Sequence, residues 1–211
     1  MSMRGIVATL AAAAVSLVLA GCGSAPTDAE STPPAPAPSA TAAPTPVADV
    51  PIAAATPEPV RQPVPPVRVA VAAIGVDIPV VPVGVEEGGF MEIPDDPAVA
   101  GWYRFGADPS SPDGNTVITA HVDFPGYPIG PFSRLRDLPA GEQVDVTDDA
   151  GTVHRYVIES VTYYPKADLP VNNLFARSGT DSLVLITCGG PFDQATGRYA
   201  DNVVAVATPV E

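Results

Sequence analysis

From Val67 onward the chain is built of short β-branched runs cut apart by proline and glycine, and this rhythm constrains its fold more than any other feature. Val67-Arg-Val-Ala-Val71 and Ile78-Pro-Val-Val-Pro-Val83 read as early strands with Ile74-Gly-Val-Asp77 as the turn between them, and the prolines at 79 and 82 confine the second to an edge or a sheet end. Asn115 to His121 follows the turn at residues 109–115. Gln143-Val-Asp-Val-Thr147 and Val153 to Thr162 alternate with period two about the turn Asp148-Asp-Ala-Gly151, as a hairpin does. Leu183 to Thr187 and Asn202 to Ala207 complete the set. Helical periodicity does not recur; a turn or two of helix is expected at Pro131-Phe-Ser-Arg-Leu135 and at Val171 to Arg177. Many short strands with Pro/Gly connections predict an all-β domain, a closed barrel or a sandwich.

The first part of the chain cannot take part in such a domain. Residues 1–21 combine a basic start at Arg4 with an apolar stretch from Ile6 to Ala20, the pattern of a secretory signal. Leu19-Ala-Gly-Cys22 resembles the lipobox of bacterial lipoproteins, which would make Cys22 a lipidated N-terminus; an uncleaved membrane anchor is the competing reading. Either one places the rest of the chain outside the cytoplasm. Residues 22–66 are rich in Ala, Pro, Thr and Ser, with too little apolar surface to offset the entropy of ordering, and read as a disordered stalk. Residues 67–211 are long enough for one domain with its own core. The net charge of −14 argues against binding nucleic acid or an anionic membrane surface by charge.

An exported chain normally pairs its cysteines, yet with Cys22 claimed by the lipobox, Cys188 stands alone. It closes the apolar run Leu183-Val-Leu-Ile-Thr-Cys188, at a place where Gly189 and Gly190 open space for a ligand. A packed small hydrophobe is the bland account of such a residue, and a nucleophile the sharp one. His121 closes the run Asn115-Thr-Val-Ile-Thr-Ala-His121 in the same manner and is the candidate to share the thiol proton, because a free thiol with a pKa of about 8.5 is mostly protonated at neutral pH. His154, inside the hairpin, reads as a cross-strand residue. Acyl transfer also needs donors for a developing oxyanion. Residues 198, 200 and 202 share one side of an extended strand, so Arg198 and Asn202 can both face the site. Two distant histidines and one thiol do not make a zinc site, and the acidic pairs Asp95-Asp96 and Asp148-Asp149 read as solvated turns, so neither a metal nor another cofactor is expected.

Thr119-Ala-His121-Val-Asp123, Leu185-Ile-Thr-Cys188-Gly-Gly-Pro-Phe-Asp193 and Thr196-Gly-Arg-Tyr-Ala-Asp-Asn-Val-Val204 together resemble sortases, most closely the class F sortases of actinobacteria. Ile74-Gly-Val-Asp77, Met91-Glu-Ile-Pro-Asp-Asp-Pro97 and Gly101-Trp-Tyr-Arg104 extend the likeness across the domain. The resemblance implies a closed β-barrel and an extracytoplasmic cysteine transpeptidase. Cys188 would cut an LPXTG-like sorting signal of an exported protein at Thr–Gly, through an acyl-thioester. His121 would protonate the departing amine and deprotonate the acceptor, a cell-wall precursor amine or water. The family arginine of the strand after the cysteine would be Arg198, although alignment on Val203-Val-Ala-Val-Ala207 puts Asn202 at that position. The alternative from another class is a non-catalytic wall-binding lipoprotein that keeps a sortase-like barrel.

Overall fold

The structure is a computed structural model, and it describes residues 61–210. The signal segment, the lipobox and most of the stalk lie outside the described residues, among which no helix is long and apolar enough to cross a membrane. Eight strands follow in chain order: β1 (Pro66–Val71), β2 (Val76–Val83), β3 (Ala100–Tyr103), β4 (Asn115–Thr119), β5 (Gln143–Asp148), β6 (Val153–Pro165), β7 (Ser182–Asp193) and β8 (Arg198–Pro209). They close into a barrel in the order β1-β2-β3-β4-β7-β8-β6-β5, with β5 returning to β1. The pairs β2–β3 and β4–β7 are parallel and the rest antiparallel. Among the described residues helix is confined to short pieces: 3₁₀ turns at Ala72–Ile74, Pro131–Asp137 and Lys166–Asp168, and one α-helical turn, α1 (Val171–Leu174).

A closed barrel leaves no edge for the prolines of β2, yet both are accommodated. β1 pairs with β2 over Val76 to Pro79 and β3 pairs with it over Val80 to Val83, so each half of the strand has a ladder on one side only. Each proline therefore has a second side with no ladder, which can take the position of its missing N–H. β3 was not expected from its sequence, because Ala100-Gly-Trp-Tyr103 has no β-branched residue. Burial makes it a strand: Trp102 is 1% exposed and its indole N–H donates to the Ala107 carbonyl at 2.9 Å. Asp148 also departs from expectation. It is the last residue of β5, is buried, and accepts from the Thr152 N–H at 2.8 Å while bonding His154 Nε2 at 2.8 Å. His154 is thereby committed to this pair, opposite Val146 in the β5–β6 ladder.

Alternation along the strands sorts the apolar residues into two clusters. Ile118, Ala120, Leu183, Leu185, Val203 and Ala205 join the large core inside the barrel. Val117, Val184, Ile186 and Val204 face outward into a second cluster with Leu174 of α1. Burial on both faces is why Leu183 to Ile186 reads as an unbroken apolar run. β7 does not stop at Cys188, as its sequence suggests. It continues to Asp193 against β8 as a two-stranded ribbon beyond the barrel, with a register slip between Gly189 and Phe192. Gly190 takes the extra residue of that bulge at φ 71°, where a side chain is strained and its Cβ would strike the Asp201 carboxylate.

Candidate active site

The register of four strands assembles one row of side chains. β4 runs parallel to β7 with Thr119 opposite Ile186, and the ladder goes one step further, the Ala120 N–H donating to the Ile186 carbonyl at 3.3 Å. Carried two residues past Thr119 and Ile186, that register brings His121 level with Cys188, and both line one cleft. Cys188 is paired with Asn202 of β8, and Asn202 with Tyr164 of β6. Across the outer face the row therefore reads His121, Cys188, Asn202, Tyr164. Inside, the buried Thr187 hydroxyl donates to the Ala120 carbonyl at 2.7 Å and ties β7 to β4 beneath the histidine and the cysteine.

Over this row lies a cleft of about 490 Å³. His121 and Cys188 line it, the segment Val122 to Pro125 forms one wall, and the ribbon residues Phe192, Gly197, Arg198 and Tyr199 form the other, with Lys166 beside them. Cys188 is a free, half-buried thiol. The His121 ring lies 5.2 Å from that of Phe124. Burial holds the imidazole pKa below its usual value, against the carboxylates of Asp95, Asp123 and Glu86, which favour the charged ring. Tyr199, whose ring lies 5.0 Å from that of Phe192, donates its hydroxyl to Asp123 Oδ2 at 2.8 Å and so bridges the ribbon to the histidine segment. Burial, and then this bond, push the Tyr199 phenol up.

Of the four residues singled out in the sequence, the structure brings three into one cleft. Arg198 lines it, on the face of β8 shared with residues 200 and 202, because the slip falls on β7 and leaves β8 regular. Asn202 neighbours Cys188 in the row but does not line the cleft. Behind the thiol, at the barrel mouth, a cavity of about 20 Å³ is lined by Arg136, Ser133, Tyr163 and Tyr199 among others, so a second arginine, unnoticed in the sequence, has a place near Cys188. Lys166 and Tyr199 were also missed. The signal for the first was available, since Lys166 is the only lysine in the chain. Among the described residues no group of three or more His, Cys, Asp or Glu could hold a metal ion. The cleft presents a thiol, an imidazole and an arginine, the components of acyl transfer through a covalent intermediate.

A family model described as the sortase domain matches residues 69–210. The chain belongs to the sortase family. Among solved structures this sortase is similar to sortase C2 of Group B Streptococcus pilus island 1, at 21% identity over 68% of this chain and 73% of that one, with a TM-score of 0.52. It is similar to sortase A from Corynebacterium diphtheriae at 18% identity over 72% of this chain and 62% of that one, and to sortase C-1 from Actinomyces oris at 19% over 71% and 76%, both with a TM-score of 0.52. At these identities the structural likeness bears on the barrel alone. No curated protein sequence matches the chain.

Proposed function

We propose that this sortase is a cysteine transpeptidase of the class F type, acting on exported proteins that carry an LPXTG-like sorting signal. The observation that carries the reading is that His121, Cys188 and Arg198 line one cleft. His121 takes the proton of the Cys188 thiol, the resulting thiolate attacks the threonine carbonyl of the Thr–Gly bond, and Arg198 stabilises the oxygen that gains charge. As the tetrahedral species collapses, the C–N bond breaks, His121 protonates the departing glycine amine, and a thioester remains on Cys188. His121 then takes a proton from the acceptor, a peptidoglycan-precursor amine or water, whose attack breaks the thioester and restores the thiol. Asn202, next to Cys188 in the row, serves as a helper to Arg198. The export signal and the lipobox-like Leu19-Ala-Gly-Cys22 fit a protein tethered at the outer face of the membrane and facing the cell wall.

Mass spectrometry of the purified protein with an LPXTG-type peptide, with and without an added amine, tests the reading. Cleavage at Thr–Gly is expected, absent in Cys188→Ala and reduced about 10²-fold or more in His121→Ala. Arg198→Ala is expected to cost more than Arg136→Ala. No cleavage and no acyl-enzyme mass from the native protein would overturn it.

A further inference from the structure

Lys166 is the first residue of the 3₁₀ turn that leaves β6, two residues past Tyr164. The β6–β8 ladder ends at Pro165 opposite Asp201, directly before it, and Lys166 lines the cleft together with Cys188 and Arg198. Three ion pairs are present among the described residues, Arg61–Asp108, Arg68–Asp77 and His154–Asp148, and none involves Lys166. The carboxylate across the cleft, Asp123, is already engaged by Tyr199. A chain of net charge −14 thus places its one lysine as an uncommitted cation in the wall of its reactive cleft, next to an arginine. A charge of that sign in a concave wall draws in anions and disfavours cations.

We propose that Lys166 is a specificity residue that pairs with a carboxylate of the substrate peptide, so that sorting signals with Glu or Asp at the variable position before the threonine are preferred. The inference rests on the sortase reading of Cys188. A peptide whose threonine carbonyl sits over Cys188 carries that position one residue further along. Lys166 and Cys188 line the same cleft, and the long lysine stem and a glutamate side chain give the pair its reach.

The test is kcat/KM for LPETG-, LPQTG- and LPKTG-type peptides with the native protein, Lys166→Ala and Lys166→Glu, at low and high salt. The native protein is expected to favour Glu over Gln by about two- to fivefold, the scale of a solvent-exposed pair. That ratio falls to about one in Lys166→Ala, and the order inverts in Lys166→Glu, with the Lys peptide ahead. Raising the salt flattens the native preference. Lys166 is exposed, so neither variant loses a buried contact. Cys188-dependent cleavage whose Glu/Gln ratio is the same in all three proteins would overturn this inference and leave the transpeptidase reading standing. Absence of Cys188-dependent cleavage of every peptide would overturn that reading and the inference with it.

Discussion

In the proposed reaction His121 holds a proton at one step and gives it up at another, so its charge state would govern what the cleft can do. Burial disfavours the imidazolium more than Asp95, Asp123 and Glu86 together favour it, and Lys166 adds slightly to the burial effect. Between that lowered pKa and the value of about 6.5 in an unfolded chain, the unfolded state binds more protons. The stabilising contribution of the neutral ring is therefore complete above about pH 6.5 and is lost as pH falls through that window. In the proposed reaction the ring, neutral at neutral pH, accepts the thiol proton, and the imidazolium so formed donates to the leaving amine. Asp123→Asn removes a charge that favours the imidazolium. The midpoint of the His121 Cε1–H resonance is expected to move further down, and the kcat/KM maximum to move toward acid. Lys166→Ala moves the resonance midpoint the other way. A midpoint indifferent to both substitutions would contradict this account of the ring.

At the scale of elements, the placement of His121 and Cys188 depends on how β4 is fastened to β7 where their ladder ends. Ala120 is gripped twice, its N–H by Ile186 and its carbonyl by the Thr187 hydroxyl at 2.7 Å. Thr187→Val keeps the shape and leaves that carbonyl buried without a partner, a loss of about 1–3 kcal/mol. Thr187→Ser keeps the hydroxyl and is expected to recover most of the stability. Because His121 follows Ala120 directly, the valine variant is also expected to lose about tenfold in kcat at temperatures where it is still folded. A kcat equal to native would show that the bond secures the barrel without placing the histidine. His121 and Cys188 were legible in the sequence because each closes an apolar run. The row that joins them was not, since it depends on a parallel register between strands far apart in the chain, which no local pattern encodes. β3 and the outer half of β7 were missed for a related reason: Ala100-Gly-Trp-Tyr103 is held as a strand by its neighbours, and Gly189-Gly190, read as a break, is a bulge within a continuing ribbon.

For the whole molecule, the question is where the folded body begins. The sequence places the boundary at Val67, where β-branched residues replace the Pro/Ala-rich stretch, but composition cannot report a single anchoring contact ahead of it. Arg61 makes a two-pronged bond to Asp108, with Nη1 to Oδ2 at 2.6 Å and Nη2 to Oδ1 at 2.5 Å, and Asp108 is 1% exposed. Burial pushes the Asp108 carboxyl up, but the Arg61 bonds, joined by the Ser110 N–H, outweigh it and hold the carboxyl below the usual range. Pro65 adds a backbone bond, accepting from the Asp149 N–H at 2.9 Å. A chain that begins at Val67 strips Asp108 of its cation and leaves a buried carboxylate short of partners. Relative to a chain that begins at Thr56, it is expected to lose about 1–3 kcal/mol, toward the lower figure because the Arg61 side chain is 44% exposed. That corresponds to a fall of about 2–10 °C in Tm for a domain of this size. Arg61→Ala in the longer chain should reproduce most of the loss. The sign of the pH dependence is fixed as well: a lowered carboxyl contributes stability that is present above its unfolded value of about 3.9 and vanishes as pH falls through its folded one. The gap in Tm between the two chains is therefore expected to be full near neutrality and to close in acid, and equal melting temperatures near neutral pH would show that the barrel needs nothing ahead of β1.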